Sequence, residues 1–372
     1  MVDRKTLYEL PWTRNDNPNG WIEPTTKCQL KCPLCFRGAD LDGHRAEHVD
    51  LVDVKRDIDD LIRLRRVSTI TIAGGDPLLY PHLDEMIDYI RSKNVEAMVL
   101  TNGIDLDEAR LRRFKAKEVA RIVIHIDKYQ GRQGIRSEEQ TLPLRRSFCE
   151  LFRKVGGVSL GFIQPIAAKD FGDLEVLLPF YKENADVVDL VAFNRMQPVG
   201  FQGSRQDGIL EGHTLIDRVR EVYGLEYSAY LGKTHSDEIG WLFGQAVFIG
   251  NRLIGSLDKE AFRFFQEEHR RRAGQYLHCS RTRRLTPKLL LYVPFNKSLR
   301  SILFHRLGSL GSRNGAGKLN HQLILIVNTP TKLEDGDLDR CKGCPDAMMF
   351  GGKLVPSCVL ERVKAGEMME AG

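Results

Sequence analysis

The sequence lacks any long apolar run. No apolar segment of signal-peptide length follows Met1, and no stretch approaches the roughly 20 apolar residues of a transmembrane helix. We therefore expect a soluble, cytoplasmic protein. In that compartment the eight cysteines are expected to be reduced or bound to metal rather than paired in disulfides.

Motifs of several ligand-binding classes are also missing. There is no RRM, KH or zinc-finger pattern, so nucleic acid is not an expected partner. The glycine-rich segment 308–318 fails as a phosphate-binding loop, because Ser312 stands where the motif needs glycine and Leu319 where it needs serine or threonine. We expect a surface loop there.

Short β-rich runs alternate with longer amphipathic runs between residues 19 and 200. Such alternation predicts βαβ units and a parallel sheet. The predicted strands are 21–25, 67–73, 95–101, 121–126, 158–164 and 187–193, and the predicted helices include 51–64, 82–93, 106–117 and 174–183. At 372 residues, we expect one large domain with a smaller appendage.

What the sequence does contain is a compact cysteine triplet, Cys28, Cys32 and Cys35, spaced C-x3-C-x2-C. Three thiolates can hold three corners of a [4Fe–4S] cluster, whereas a fourth would close the cluster for electron transfer. The remaining iron would then be open to a substrate or cofactor. The alternatives are a zinc knuckle without its fourth ligand, or three unrelated cysteines; structural zinc sites use four ligands.

The triplet resembles that of the radical S-adenosylmethionine (SAM) enzymes. In that family the open iron chelates SAM, and an electron from the cluster breaks a C–S bond to give a 5′-deoxyadenosyl radical. The resemblance implies a [4Fe–4S] cluster, SAM and a flavodoxin- or ferredoxin-type electron donor. It also implies an α/β fold, a partial (β/α)6 TIM-type barrel, with its chemistry at the C-terminal ends of the strands.

Residues after the later predicted strands resemble the family's SAM-binding positions. The segment 74–77 looks like the GGEP motif with Asp in place of Glu, although a plain turn is the alternative. The Thr-Asn-Gly at 101–103 is common at its position in the family. The cofactor-binding residues implied by the resemblance are Leu34, Phe36, Gly74, Gly75, Asp76, Pro77, Thr101, Asn102, His125, Asp127, Gln164 and Arg195.

Three residues are candidates for a catalytic group: His125, Arg195 and the isolated Cys149. Strand alternation sends His125 and Asp127 to the same face, where relatives often carry Ser-x-Asp for the SAM ribose; a structural histidine is the alternative. Arg195 could bind a carboxylate of SAM or of the substrate, or form a structural salt bridge.

A second group of cysteines lies near the C-terminus: Cys341, Cys344 and Cys358, with Cys279 upstream. Four such ligands suffice for a second iron–sulfur cluster or a single iron or zinc ion, although Cys279 could be a buried free cysteine. The segment, with a predicted hairpin over 346–356, resembles a reduced SPASM or twitch extension. We expect the barrel over 1–210 and a smaller α+β metal-binding domain over 211–372.

Positive charge is concentrated in the segment from Arg263 to Arg306. This segment contains eleven Lys or Arg and two acidic residues, whereas the whole chain has a net charge of +5. Apolar stretches are interleaved with these cations. The pattern suits an anionic, phosphorylated or lipid-like substrate, or peripheral contact with a membrane surface. A solvated helix face is the alternative.

These features predict an oxygen-sensitive radical SAM enzyme that cleaves SAM reductively and abstracts hydrogen from an anionic small molecule. Two alternatives stay open: a peptide- or sugar-modifying enzyme of the same superfamily, and a non-enzymatic iron–sulfur electron carrier. Only 27 residues precede Cys28, fewer than the leader-binding domain of many peptide-modifying relatives, which favours the small molecule.

Overall fold

The computed structural model describes residues 2–32, 35, 37–38, 46–195, 212–278, 292–310, 318–328, 330–333 and 337–366. The strands are β1 (Tyr8–Glu9), β2 (Asn19–Ile22), β3 (Thr69–Ile72), β4 (Glu96–Thr101), β5 (Arg121–His125), β6 (Ser159–Ile166), β7 (Val188–Arg195), β8 (Tyr227–Gly232), β9 (Ile239–Ile249), β10 (Arg252–Ser256), β11 (Leu319–Asn328), β12 (Thr331–Lys332), β13 (Leu338–Asp339), β14 (Ala347–Phe350) and β15 (Lys353–Pro356).

The α-helices are α1 (Leu51–Arg65), α2 (Leu83–Ser92), α3 (Glu108–Ala116), α4 (Glu138–Val155), α5 (Leu174–Glu183), α6 (Gly212–Tyr223), α7 (Lys259–Ala273), α8 (Lys297–Leu310) and α9 (Leu360–Lys364). Helix α1 shows why these segments are helical. The Asp50 side chain caps its first turn by accepting from the Val52 N–H, and Val54, Ile58 and Leu61 recur on one buried face. In the described residues, no helix is both long and apolar enough to span a bilayer.

Strands β2 to β7 pair in chain order, each parallel to the next. This arrangement confirms the predicted partial barrel. Alternation along the strands separates two layers of core. Ile122 and Ile124 of β5 pack with the outer helices, whereas Val123 faces the interior cluster that also contains Trp12, Met98 and Phe243. Residues at the C-terminal ends of these strands therefore meet at one mouth.

The second half of the chain continues the same sheet. Strand β11 runs parallel to β7 and antiparallel to β9, and the full order is β1-β8-β9-β11-β7-β6-β5-β4-β3-β2, with β10 on β9. The predicted domain boundary near residue 210 falls outside the described residues and stays a prediction.

Two small antiparallel pairs stand apart from this sheet, β12 with β13 and β14 with β15. The second confirms the hairpin predicted over 346–356. It lies between Cys344 and Cys358, and it packs on β2 and α1, so the C-terminal cysteines are brought to the barrel itself.

Candidate functional site

A cavity of about 320 Å³ opens at the C-terminal ends of the parallel strands. That volume lies within the range of small-molecule sites. The predicted site residues that line the cavity are Cys28, Cys32, Cys35, Gly74, Gly75, Thr101, Asn102, His125, Asp127, Arg195, Cys341, Cys344 and Cys358. Both cysteine groups therefore line the same cavity. Leu34, Phe36 and Cys279 lie outside the described residues.

The cysteine triplet occupies the loop after β2. The Leu30 N–H and the Asn102 Nδ2 donate to Cys28 Sγ at 3.4 and 3.6 Å, and the Arg37 N–H donates to Cys35 Sγ at 3.4 Å. Burial raises the pKa of Cys28, and it raises the pKa of Cys32 to about 12. Thiolates in this loop therefore need positive charge beside them, which the irons of a cluster would supply.

The glycine pair after β3 fits closely against the segment that leads to the triplet. The Gly75 N–H donates to the Thr25 carbonyl at 2.8 Å, and the Asp76 N–H donates to the Lys27 carbonyl at 2.8 Å. A Cβ on Gly74 would strike the Thr25 carbonyl, and one on Gly75 would strike the Lys27 carbonyl. Gly74 also has a φ of 113°, which favours glycine. The backbone of Gly74 and Gly75 thus forms a narrow shelf beside the cysteines.

Asp76 and Pro77 do not line this cavity. The Asp76 carboxylate is fully buried and accepts hydrogen bonds from the Thr101 hydroxyl at 2.8 Å, the Asn102 N–H at 2.8 Å and the Leu78 N–H at 2.9 Å. It joins the loop after β3 to the loop after β4. The Asp76 side chain therefore has a positioning role, because its hydrogen bonds hold the two loops together.

His125 and Asp127 both line the cavity, as strand alternation predicts. His125 Nε2 lies 2.7 Å from Asp127 Oδ2, and the Tyr129 N–H donates to Asp127 Oδ1 at 2.7 Å. Burial would raise the pKa of Asp127, but His125, the Tyr129 N–H and Arg145 outweigh that effect and lower it. The carboxylate is thus held ionised and orients the imidazole.

Gln164 and Cys149 lie behind the barrel wall. Ile163 and Pro165 of β6 line the cavity, so alternation turns Gln164 away, where its Oε1 accepts from Arg145 Nη2 at 2.7 Å. Cys149 is fully buried on α4 in the outer apolar core. The structure therefore brings neither residue to the cavity.

Arg195 stands at the mouth where β7 and β11 end together. Its cavity neighbours include Asn194, on the inward face shared with Leu190 and Ala192, and Asn328, which is in register with Arg195. Within the described residues, the side-chain oxygens of both asparagines are buried and accept no hydrogen bond. Sequence reasoning missed Asn328, because nothing in the sequence shows that β11 is the neighbour of β7.

The C-terminal cysteines line the same cavity as the triplet. Burial raises the pKa of Cys341 and of Cys358 to about 12, and it raises the pKa of Cys344 well above its ordinary value. Arg65, fully buried, donates to the carbonyls of Cys344 at 2.6 Å and of Pro345 and Ala347 at 3.3 Å each. The loop between these cysteines is therefore fixed from the end of α1.

Two further titratable side chains line this cavity and were not expected from the sequence. Asp346 is two residues after Cys344, and burial raises its pKa to about 7. His278 precedes Cys279; burial lowers its pKa to about 3, and its buried Nδ1 has no hydrogen-bond partner among the described residues. Their proximity in sequence to predicted ligands was the available signal.

The described residues contain no group of three or more His, Cys, Asp or Glu side chains that could hold a single metal ion. A [4Fe–4S] cluster binds its thiolates at separate corners, so its ligands need not converge on one point. The three thiols, the glycine shelf and the shared cavity fit such a cluster with SAM beside it.

Arg37 connects the two cysteine groups. It forms an ion pair with Glu23 at the end of β2 and another with Glu361 of α9 at 3.4 Å, and it donates to the Ser357 carbonyl at 3.1 Å. Arg37 follows Cys35 by two residues, and Ser357 precedes Cys358. One buried side chain thus ties the triplet loop to the C-terminal loop.

The basic segment is placed differently from the prediction. Of its residues in the described ranges 263–278 and 292–306, only His278 lines the cavity. Arg281, Arg283 and Arg284 lie outside the described residues. The prediction that this segment binds substrate at the mouth thus gains no support from its described cations.

The match to a known protein family covers the part of the chain that contains the cysteine triplet and the glycine shelf. Residues 22–161 match the family model described as the Radical SAM superfamily. The chain is similar to a 7,8-dihydro-6-hydroxymethylpterin dimethyltransferase of Methanocaldococcus jannaschii, with 29% identity over 202 residues, 52% of this chain and 39% of that protein. It is also similar to a PqqA peptide cyclase of Gluconobacter oxydans, with 30% identity over 89 residues, 24% of each chain.

Solved structures with a similar fold include native anSMEcpe with bound AdoMet, with 15% identity, a TM-score of 0.44, and coverage of 70% of this chain and 69% of that one. The chain spans only 39% of the length of the M. jannaschii relative, so the activity of the whole protein is a matter for proposal. The matched residues run from β2 into β6 and contain the cysteine triplet and the glycine shelf. Residues 22–161 of this chain therefore form a radical SAM domain, and members of that superfamily are enzymes that use a [4Fe–4S] cluster and SAM.

Proposed function

We propose that this protein is a radical SAM enzyme that acts on an anionic small molecule held in the cavity that both cysteine groups line. The observation that carries the proposal is the single cavity lined by the triplet, the glycine shelf and Arg195. When bound, the cluster and SAM would supply a 5′-deoxyadenosyl radical able to take hydrogen from an unactivated C–H bond.

The triplet side of the cavity would hold the cofactors. Cys28, Cys32 and Cys35 would bind the cluster, and Gly74 and Gly75, which pack without a Cβ against the Thr25 and Lys27 carbonyls, would place the SAM-binding backbone beside the triplet. The ionised Asp127 fixes His125 on the same wall. The shelf, held by buried Asp76, keeps these contacts in one arrangement.

The opposite end, at β7 and β11, would hold the substrate. Arg195 supplies a cationic fork suited to carboxylate or phosphate. The side-chain oxygens of Asn194 and Asn328, which accept no hydrogen bond from any described residue, suit hydroxyl or amino groups on the same molecule. A polar substrate with one anionic group would be oriented by all three, and its desolvation would strengthen each contact.

A second metal centre at Cys341, Cys344 and Cys358 is part of this proposal. Three half-buried cysteines that line the same cavity support it, and Arg65 fixes the loop that begins at Cys344. Cys279 stays the predicted fourth ligand, and Asp346 and His278 are the described alternatives. The flavodoxin- or ferredoxin-type electron donor also stays a prediction.

The test is anaerobic reconstitution with iron and sulfide, reduction with dithionite, and measurement of 5′-deoxyadenosine formed from SAM. Replacing Cys28, Cys32 and Cys35 with alanine should abolish the product and remove about four irons per chain. Cys149→Ala, at the cysteine buried in the outer core, is the matched control and should keep both. Undiminished product from the triple variant would refute the proposal, and absence of product from the reconstituted parent protein would leave the electron-carrier alternative.

A peptide substrate is the second candidate, because the relatives include a PqqA peptide cyclase. Transfer of deuterium from a labelled substrate into 5′-deoxyadenosine distinguishes the two. Under our proposal, Arg195→Gln raises KM for the anionic small molecule and leaves substrate-independent SAM cleavage unchanged. Transfer from peptides alone would favour the second candidate.

A further inference from the structure

An exposed apolar face lies on α8 and the turn before it. Phe295 is 85% exposed and Phe304 is 69% exposed, with Leu307 at 54% and Leu303 at 44%. In the described residues, the other exposed large apolar side chains are Val52, Ile104 and Leu319, on α1, after β4 and on β11. Four of the seven exposed large apolar side chains among the described residues therefore lie on α8 or on the turn before it.

Helical geometry places these side chains together. Arg300, Leu303, Phe304 and Leu307 occupy positions i, i+3, i+4 and i+7, which share one side of a helix. The inner side is already satisfied: Leu299 packs with Ala261, Tyr292 and Val293. Asp258 receives hydrogen bonds from Asn296 Nδ2 at 2.9 Å and from the Ser298 N–H at 3.2 Å. Because the inner side of α8 already packs against its neighbours, the exposed apolar side chains lie on the other side of the helix and do not belong to this core.

The exposed side is also cationic. Lys297 and Arg300 are exposed, and neither forms an ion pair with any described residue. Around them the sequence contains no Asp or Glu from 269 to 333, but thirteen Lys or Arg. A segment so rich in cations and so poor in carboxylates attracts an anionic partner.

We propose that the α8 face, defined as Phe295, Lys297, Arg300, Leu303, Phe304 and Leu307, docks on an anionic lipid surface. Apolar and aromatic side chains would enter the acyl boundary while the two cations pair with lipid phosphates. A nucleic acid would engage the cations and leave the leucines exposed to water. The proposal is independent of the reaction assigned to the cavity.

The experiment is vesicle flotation of the full chain with two probes, phosphatidylcholine alone and phosphatidylcholine containing about one-third phosphatidylglycerol. Binding to the anionic vesicles alone is expected, and it should weaken as ionic strength rises from low to physiological. The Lys297→Gln, Arg300→Gln double variant should bind roughly 30-fold more weakly. Phe304→Ser should lose about tenfold or more, because its ring no longer enters the apolar boundary.

The matched controls remove equivalent groups elsewhere. Val52→Ser removes an exposed apolar side chain from α1, and Arg136→Gln with Arg146→Gln removes two exposed arginines from the barrel. Both should bind vesicles like the parent protein, and far-UV circular dichroism should show every variant folded. Equal binding by all variants, or none by the parent, would overturn the proposal.

Two further outcomes would assign the face to another occupant and overturn the lipid proposal. The first is tighter binding of a single-stranded oligonucleotide than of anionic vesicles, abolished by the double variant. The second is concentration-dependent dimerisation in sedimentation velocity that Phe304→Ser abolishes, without vesicle binding.

Discussion

At the scale of single residues, the loop after β3 can approach the segment before Cys28 closely because Gly74 and Gly75 have no Cβ atom. Gly74 and Gly75 lie against the carbonyls of Thr25 and Lys27, three residues and one residue before Cys28. The same contact explains why a shelf forms beside the triplet, because the backbone N–H groups of 75 and 76 reach those carbonyls directly.

Gly75→Ala should therefore disturb the cysteine loop. Its new Cβ would overlap the Lys27 carbonyl, and the backbone shift that relieves the overlap costs about 1–3 kcal/mol. We expect a lower free energy of unfolding and at least about a tenfold loss of 5′-deoxyadenosine formation, because 1.4 kcal/mol is a tenfold effect on a rate. Gly172→Ala is the control, since nothing lies within 4 Å of its Cβ. Equal effects at both positions would contradict the explanation.

Asp76→Asn tests whether this side chain holds the shelf or contacts the cofactor. The new amide nitrogen must face the Thr101 hydroxyl and the Asn102 N–H or Leu78 N–H, so one buried donor loses its acceptor at a cost of about 1–3 kcal/mol. We expect urea denaturation of the metal-free protein to show that loss. A variant with unchanged stability but a raised KM for SAM would instead indicate direct contact.

At the scale of elements, the end of α1 organises the C-terminal loop. Arg65 reaches the carbonyls of Cys344, Pro345 and Ala347 as well as that of Arg14. A guanidinium can satisfy several acceptors at once, so a single helix terminus sets the backbone of a segment that lies about 280 residues away in the chain.

Arg65→Met should release that loop while the barrel stays intact. In a background with Cys28, Cys32 and Cys35 replaced by alanine, we expect the remaining iron or zinc to fall severalfold, because misplaced thiols bind metal weakly. Arg63→Met is the matched control, since Arg63 is 66% exposed and pairs only with Asp60 among the described residues. Metal retention in the Arg65 variant would contradict a positioning role, and a metal-free parent triple variant would refute the second centre.

At the scale of the whole molecule, the sheet binds the two halves of the chain together. Strand β11 occupies the edge of β7, and Gln322 of β11 donates to the carbonyls of Tyr181 and Val188 at 3.1 and 3.0 Å. Tyr223 of α6 donates in turn to Gln322 Oε1 at 2.8 Å. The barrel and the C-terminal half thus share a buried polar and apolar core.

A fragment of residues 1–210 should therefore fail to fold cooperatively, although the sequence suggests a domain there. It exposes the β7 edge and removes the acceptors and apolar partners that β11 supplies, and open edges pair between molecules. We expect aggregation and no sigmoidal urea transition, against a single cooperative transition for the full chain. A soluble fragment with its own cooperative transition would support the predicted boundary instead.

The sequence by itself determined the local features of this protein. The alternation of apolar runs predicted strands β2 to β7 and helices such as α1 and α5, because periodicity and capping act over a few residues. It also predicted the cysteine triplet, the glycine pair and the shared face of His125 and Asp127, since strand alternation is a local rule.

Only the tertiary structure decided what those features meet. That Gln164 turns outward depended on the exact parity of β6, and that Asn328 joins Arg195 depended on β11 pairing with β7 across the sheet. The buried Arg65 and Arg37, which join the C-terminal cysteines to the barrel, read as ordinary surface cations in the sequence. Burial and pairing between distant segments result from packing of the whole chain, and no local pattern encodes them.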